Sequence, residues 1–384
     1  MSGTADRPTT RPRRILFVTG TRADYGKLKS IIRAIDTSDE FLYAIFATGM
    51  HLLEKYGRTW KEIEKDGFSE IFLHFNQDHY TDFMMDRVLA DTIKGLSHYV
   101  AEYPVDLIVV HGDRVEALAG AIVGSLNGIL VGHIEGGELS GTVDELMRHT
   151  ITKMSHLHFV SNNEARDRVV GMGEYPGKVH VIGSPNIDIM LSPDLPSLED
   201  VRRRYEIEDN DFALVTLHPI VGASDDLHAD TTALLEALAD TKRYFVMLYP
   251  NNDTGSAEIL RAIKDIEGSP QFRVLPSMKF EYYLTALQHA AAIVGNSSSG
   301  IHEAPVYGVP TINVGGRQHN RFAHPSIQNV AFDVDEITTA LDRLWGRRFE
   351  PSAHFGNGAS AEAFVALLRD PATWETRVLK QFHD

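Results

Sequence analysis

The chain has 384 residues, 43% of them apolar and 23% charged, with a formal charge of −16 and no cysteine. That length predicts two globular domains of about 100–200 residues each, and the missing cysteines exclude disulfides, thiolate nucleophiles and Cys-ligated metals. The acidic balance opposes a nucleic-acid partner, which a basic surface attracts by releasing counterions. A small phosphorylated ligand stays compatible, because a few arginines and backbone amides reverse the field locally. A cysteine-free chain fits a reducing compartment, and the cytoplasm is the expected location. No run of about 18 apolar residues exists, so no membrane span is predicted.

Met1–Arg13 is rich in Thr, Pro and Arg without an apolar stretch, and reads as a disordered tail, not a signal peptide. Arg14–Thr19 reads as a strand stopped by Gly20, followed by a helical period from Tyr25 to Ile35. Strand-like runs recur at Leu42–Thr48, Leu107–Val110, Ile129–His133 and His158–Val160, with helix-like stretches such as Val115–Leu126 and Glu145–Met154 between them. Near-continuous apolar strands alternating with helices predict a parallel sheet covered on both faces. Ser192-Pro193-Asp194-Leu195-Pro196 punctuates the chain, and the pattern then restarts with Phe212–Leu217, Thr231–Leu238, Phe245–Leu248 and Ser256–Ile266. Phe272–Leu275, Tyr282–His289, Ala292–Val294 and Thr311–Val314 continue it, and Ala361–Leu368 and Trp374–Phe382 read as helices. The prediction is an α/β chain of two Rossmann-like doubly wound domains, 14–192 and 193–384, with the C-terminal helices in the second.

In such sheets ligands sit beyond the carboxyl ends of the strands, so polar loops there are site candidates. Gly20-Thr21-Arg22-Ala23-Asp24-Tyr25-Gly26 matches neither the dinucleotide pattern nor a P-loop. Arg22 either binds phosphate or sugar or is a solvated arginine. His111-Gly112-Asp113-Arg114 places Asp113 past a strand end, facing a ligand or capping the next helix. His133-Ile134-Glu135-Gly136-Gly137-Glu138 combines carboxylates with two glycines that permit close backbone approach or a turn. Asp144 and Arg148 share a helix face four residues apart, and an exposed pair of that kind has little energetic weight. His218-Pro219 follows a strand, and a lone histidine is more often structural than catalytic. Gly295-Asn296-Ser297-Ser298-Ser299-Gly300-Ile301-His302-Glu303 opens a helix with more serines than a cap needs, which suits a phosphate. Gly315-Gly316-Arg317 adds a cation at the same edge. No metal site is predicted: His149, His156 and His158 lack ligand spacing, and the triplets Asp209-Asn210-Asp211 and Asp333-Val334-Asp335 sit at turns.

Together these segments resemble the hydrolysing UDP-N-acetylglucosamine 2-epimerases of sialic acid biosynthesis, over residues 14 to 322 and the folded chain generally. The matching runs are 18–25, 49–51, 110–114, 133–144 with Arg148-His149, 218–219, 250–255, 295–303 and 316–318. The resemblance implies the two-domain fold shared with many glycosyltransferases, an active site between the domains, no cofactor, and a homo-oligomer, dimer or tetramer. It implies a reaction in which UDP-N-acetylglucosamine loses UDP to form a glycal, and water then adds to give N-acetylmannosamine. Carried over by position, Asp113, Glu135 and Asp144 are the functional carboxylates and His218 the second-domain histidine. Arg22, Ser297, Ser298 and Gly300 surround the diphosphate, and Glu303 contacts the ribose. Arg114, Arg148, Arg317 and His51 line the sugar and phosphate site, and Phe280 lies near uracil. Which carboxylate is base and which is acid stays open. Ile220-Val221-Gly222-Ala223 departs from the Val-Thr-Thr run that relatives often carry there. Arg22-Ala23-Asp24-Tyr25 looks like the hydrolysing branch, since the non-hydrolysing one typically has Arg-Pro-Glu. Three other readings remain: a hydrolysing 2-epimerase of GDP-linked diacetylbacillosamine, a retaining glycosyltransferase, and a non-enzymatic nucleotide-sugar sensor.

Overall fold

The computed structural model describes residues 11–54, 57–76, 85–139, 143–208, 211–219, 227–250, 255–318 and 321–383. The expected tail up to residue 10, Ser140-Gly141-Thr142, Asp209-Asn210, Ile220–Ala223, Asn251–Thr254 and His319-Asn320 lie outside them.

Two parallel sheets organise the chain. The first contains β1 (Arg13–Thr19), β2 (Phe41–Ala47), β3 (Ile71–Leu73), β4 (Leu107–His111), β5 (Leu130–Ile134), β6 (Leu157–Val160) and β7 (Val179–Val181), in the order β3-β2-β1-β4-β5-β6-β7. Its helices include α1 (Arg22–Asp36), α2 (Trp60–Lys65), α3 (Met85–Glu102), α4 (Val115–Leu126), α5 (Val143–Met154) and α6 (Asn163–Gly171). The second contains β8 (Phe212–Thr216), β9 (Tyr244–Leu248), β10 (Phe272–Leu275), β11 (Ala292–Gly295), β12 (Thr311–Val314) and β13 (Ile327–Val330), in the order β10-β9-β8-β11-β12-β13. Strand order reverses once in each sheet, between β1 and β4 and between β8 and β11, where register pairs Phe17 with Val109 and Thr216 with Gly295. Those are the topological switch points at which doubly wound sheets bind ligands.

Side chains alternate across each strand, and both faces are covered. Ile15, Phe17, Ile45, Val109 and Phe159 enter one core layer of the first sheet. Leu16, Val18, Phe46, Ile108 and Val131 enter the other. The second sheet repeats this with Ala213, Val215, Phe245 and Val294 on one face and Phe212, Leu214, Val246 and Ile293 on the other.

The chain divides into two compact units, Met1–Gly137 with Met147–Pro185 and Ala359–Asp384, and Glu138–Leu146 with Asn186–Gly358. Three sequence expectations are corrected here. The C-terminal helix Ser360–Arg369 belongs to the first unit, because Phe364 and Leu368 complete the core layer around Phe17 and Phe159. The linker prolines do not mark the boundary, since Leu195 packs with Ile187, Met190 and Leu284 in the second unit. Trp374–Phe382 is not a helix either: a four-residue turn of helix, Pro371–Trp374, ends it. The tail beyond is held by tertiary contacts, with the His156 ring bonded to the Val378 carbonyl at 3.0 Å. Among the described residues no helix is long and apolar enough to cross a membrane.

Candidate active site

At the first switch point, β1 ends in Thr19-Gly20 and α1 begins at Arg22. Thr21 caps α1 by accepting from the Asp24 N–H at 3.1 Å, and Asp24 accepts from the Gly20 N–H at 3.1 Å. The Arg22 guanidinium meets Glu62 at 2.9 and 2.5 Å, so it is an ion-paired residue and not a solvated one. His51 is wholly buried, with its ring nitrogens 3.1 Å from the Thr19 hydroxyl and 2.8 Å from the Thr59 hydroxyl. Burial lowers it to about 4, which keeps it neutral.

Past β4, Asp113 is not the cap of α4. Arg114 holds that position without a side-chain cap, and its Nε donates to Glu116 at 3.2 Å. Asp113 instead pairs with Arg148, which is buried in α5. The Arg148 guanidinium therefore serves Asp113 across the fold, beyond any surface pairing within its own helix.

Glu135 follows β5 with a left-handed backbone, φ 60, an uncommon and strained state for a residue with a Cβ. Its carboxylate is buried and saturated with donors. His111 bonds Oε2 at 3.0 Å, Lys27 reaches the same oxygen at 3.2 Å, and the Ser184 hydroxyl donates to Oε1. The other His111 nitrogen lies 3.2 Å from Asp24 Oδ1. Burial alone would raise Glu135, but Lys27 and His111 hold it well below the usual glutamate range. Burial would lower His111, yet Glu135 and Asp24 push it up to about 9. Neighbouring His133 is bonded to the Gly112 carbonyl at 2.8 Å and the Thr152 hydroxyl at 3.0 Å, and burial lowers it to about 3.

At the second switch point, β11 ends at Gly295, whose φ is 123 and whose missing Cβ would lie 2.1 Å from the Thr216 carbonyl oxygen. Only glycine fits there. Asn296 then ties the loops together. Its Oδ1 accepts from the His218 N–H at 2.7 Å and its Nδ2 donates to the His218 carbonyl at 2.8 Å. Its own carbonyl accepts from Arg317 at 3.0 Å and Gln318 at 2.9 Å. Ser297 is half-buried and Ser298 exposed, while Tyr283 donates to Ser299 at 2.6 Å. The helix that follows, Ser299–His302, has only four residues. An anion here would be held by loop amides and hydroxyls, since so short a helix has little macrodipole. A Cβ on Gly300 would meet Thr311 at 2.6 Å, so that glycine serves packing. Glu303 is buried and accepts from Asn186 at 2.8 Å. Phe280 packs against the cluster of Ile187, Met190 and Phe355. Asp144 stands in the first turn of α5, half-buried, and is counted with the second unit.

The first unit thus gathers Arg22, His51, Asp113, Arg114, Glu135 and Arg148 at the carboxyl edge of its sheet. The second gathers His218, Ser297, Ser298, Gly300, Glu303 and Arg317 at the edge of its own. Sequence reasoning passed over Asp24, Lys27, His111 and Ser184 around Glu135, and Asn186 and Asn296 in the second unit. Asp24, His111 and Asn296 lay inside segments already singled out; Lys27, Ser184 and Asn186 carried no local signal.

Fold and site define a class: a doubly wound α/β chain with buried carboxylates and histidines at one switch point and a glycine- and serine-rich loop at the other. The sequence profile of the UDP-N-acetylglucosamine 2-epimerase family matches residues 33–369, and the chain belongs to that family. A UDP-N-acetylglucosamine 2-epimerase of Neisseria meningitidis serogroup B is 41% identical over 97% of this chain and 99% of its own length. A UDP-N,N'-diacetylbacillosamine 2-epimerase (hydrolyzing) of Legionella pneumophila is 31% identical over 93% of this chain and 96% of its own. In fold, the chain matches the crystal structure of a Neisseria meningitidis UDP-GlcNAc 2-epimerase bound to UDP-GlcNAc. The TM-score is 0.77 at 18% identity, over 93% of this chain and all of that one.

Proposed function

We propose that this protein is a hydrolysing UDP-N-acetylglucosamine 2-epimerase that releases N-acetylmannosamine and UDP for sialic acid synthesis, acting as a homo-oligomer. The observation that carries this reading is the pair Asp113 and Glu135, standing past the adjacent strands β4 and β5 in a chain 41% identical to the Neisseria relative.

The proton on carbon 2 of the sugar is weakly acidic, so its removal must be coupled to departure of a good leaving group. In the first step a carboxylate takes that proton, the C1–O bond breaks, and the electron pair leaves with the β-phosphate of UDP. A carbon 1–carbon 2 double bond remains. In the second step water adds hydroxyl to carbon 1 and a proton returns to carbon 2 on the opposite face. The balance is nucleotide sugar plus water giving N-acetylmannosamine plus UDP. Asp113, Glu135, Asp144 and His218 supply the acid–base set. Arg22, Arg114, Arg148 and Arg317, with the amides and hydroxyls of Ser297 and Ser298, stabilise the departing diphosphate. Glu303, fixed by Asn186, accepts from the ribose hydroxyls, and Phe280 faces uracil.

The Legionella relative supports a second reading, in which the sugar is diacetylbacillosamine linked to UDP. Proton NMR of the purified protein with UDP-N-acetylglucosamine in deuterium oxide separates the two. The expected products are UDP and N-acetylmannosamine deuterated at carbon 2. UDP-N-acetylmannosamine would instead mark a non-hydrolysing enzyme. An unchanged spectrum with this sugar, and turnover of the bacillosamine nucleotide, would establish the second reading.

A further inference from the structure

Of the three carboxylates in the acid–base set, Glu135 has surroundings unlike those of a proton-returning acid. Three donors from three segments converge on it: Lys27 from α1, His111 from the end of β4, and Ser184 from the loop after β7. His111 is itself held from behind, with Asp24 3.2 Å from its Nδ1 and the Asp24 carboxylate anchored by the Gly20 N–H at 3.1 Å. The line Gly20–Asp24–His111–Glu135 therefore ties the loop after β1, the end of β4 and the loop after β5. It crosses the switch point at which a sugar nucleotide would bind.

We propose that His111 is a positioning residue for the reaction: bridging Asp24 and Glu135, it keeps Glu135 a fixed carboxylate, which takes the carbon 2 proton or stabilises positive charge at carbon 1. The proton returned to carbon 2 then comes from another group, Asp113 or Asp144. The assignment rests on the function proposed above and deepens it by separating three carboxylates that the sequence left equivalent.

The charge balance fits. The groups facing His111 are Asp24 and Lys27 from α1, Glu135 and His133 from β5 and its following loop, with Arg114 beside Asp24. Two carboxylates and one ammonium around a buried imidazole favour its cationic form, and a cation there favours ionised Glu135. His133 is neutral, held by a hydroxyl and a carbonyl, and contributes no charge. The bridged pair titrates as a unit, so removing either end is felt at the other. Glu135 sits at a strained φ of 60, which the converging contacts oppose relaxing.

The test uses His111→Gln, which keeps an amide donor but no charge, and Asp24→Asn, which removes the rear anion. Folding is checked by thermal melting and by UDP binding in calorimetry. Expected for His111→Gln is a kcat loss of about 10²-fold with KM changed less than about threefold. Its acid limb moves to higher pH, because Glu135 without the imidazolium protonates more readily. For Asp24→Asn the basic limb moves to lower pH, because His111 loses its proton more readily. A merely structural histidine would change stability and leave both limbs in place, and that result would overturn the proposal. A second readout needs no turnover: NMR of histidine-labelled free enzyme follows the His111 ring directly. The expected midpoint is near 9 and falls in Glu135→Gln. An ordinary midpoint near 6.5 overturns the bridge whatever the sugar. If the wild type leaves UDP-N-acetylglucosamine untouched, the functional reading fails separately, and the same variants are profiled on the bacillosamine nucleotide.

Discussion

The buried guanidinium of Arg148 is paired with Asp113, 35 residues away in the chain. One side chain from the fifth helix thereby fixes the orientation of a carboxylate at the end of the fourth strand. Replacing Arg148 by Met removes this charged donor from the carboxylate. Turnover of UDP-N-acetylglucosamine should fall by about 10²-fold, measured as UDP release, with a fold that still melts cooperatively. Unchanged turnover would remove the pair from the site.

Glycine at 295 is required by backbone geometry, not by packing preference. Gly295→Ala puts a methyl 2.1 Å from the Thr216 carbonyl oxygen at a φ of 123. The expected loss of stability is about 3 kcal/mol, read by chemical denaturation. UDP binding should weaken too, because Asn296 and the serine loop start from that residue. A variant of wild-type stability would mean that the β11 end relaxes freely.

Asn186 holds Glu303 by a buried hydrogen bond of 2.8 Å. With Asn186→Ala, the Glu303 carboxylate loses a donor that orients it for the proposed ribose contact. UDP affinity is expected to drop about tenfold, equivalent to about 1.4 kcal/mol, while kcat at saturating sugar stays within about threefold. A selective fall in kcat would place Asn186 in the chemistry instead.

Lys380 lies near the end of the chain, but its ammonium caps α5. It donates to the carbonyls of Thr152 at 3.1 Å, Lys153 at 2.9 Å and Ser155 at 2.6 Å, and pairs with Glu174 at 2.5 Å. A cation at a helix C-terminus satisfies carbonyls that the helix cannot. Lys380→Met should cost about 1–3 kcal/mol, and thermal melting measures it. An unaltered melting temperature would show the tail to be dispensable for α5.

Stability should have a defined pH window. His51 and His133 are neutral in the fold, lowered by burial to about 4 and about 3. Unfolded histidine takes up its proton near pH 6.5, so their contribution is complete above that and is lost as pH falls toward 4. His111, raised to about 9, contributes fully below pH 6.5 and loses its contribution as pH rises through 9. The melting temperature should therefore fall on both sides. His133→Gln should reduce the acid slope by about one proton, or about 1.4 kcal/mol per pH unit. An unchanged slope would assign the acid loss to other groups, His51 and the carboxylates among them.

Much of this protein was written locally. Apolar runs located β1, β4, β5, β8 and β11, the first of them closed by Gly20, because a strand buried on both faces needs an unbroken apolar sequence. The polar loops after those strands held the candidate residues, because chain order alone puts them at a carboxyl edge. Tertiary structure decided what chain order cannot express. The short edge strands β3 and β7 have three residues each, too few for a periodic signal. The helix Ser360–Arg369 joined the first unit because its apolar face fits a core built by residues more than 200 positions earlier, as Phe364 does in the cluster of Phe159 and Phe17. The Asp24–His111–Glu135 bridge has the same origin. Each of its members is an ordinary polar residue in its own segment, and only the parallel stacking of β1, β4 and β5 brings their charges within 3.2 Å of one another.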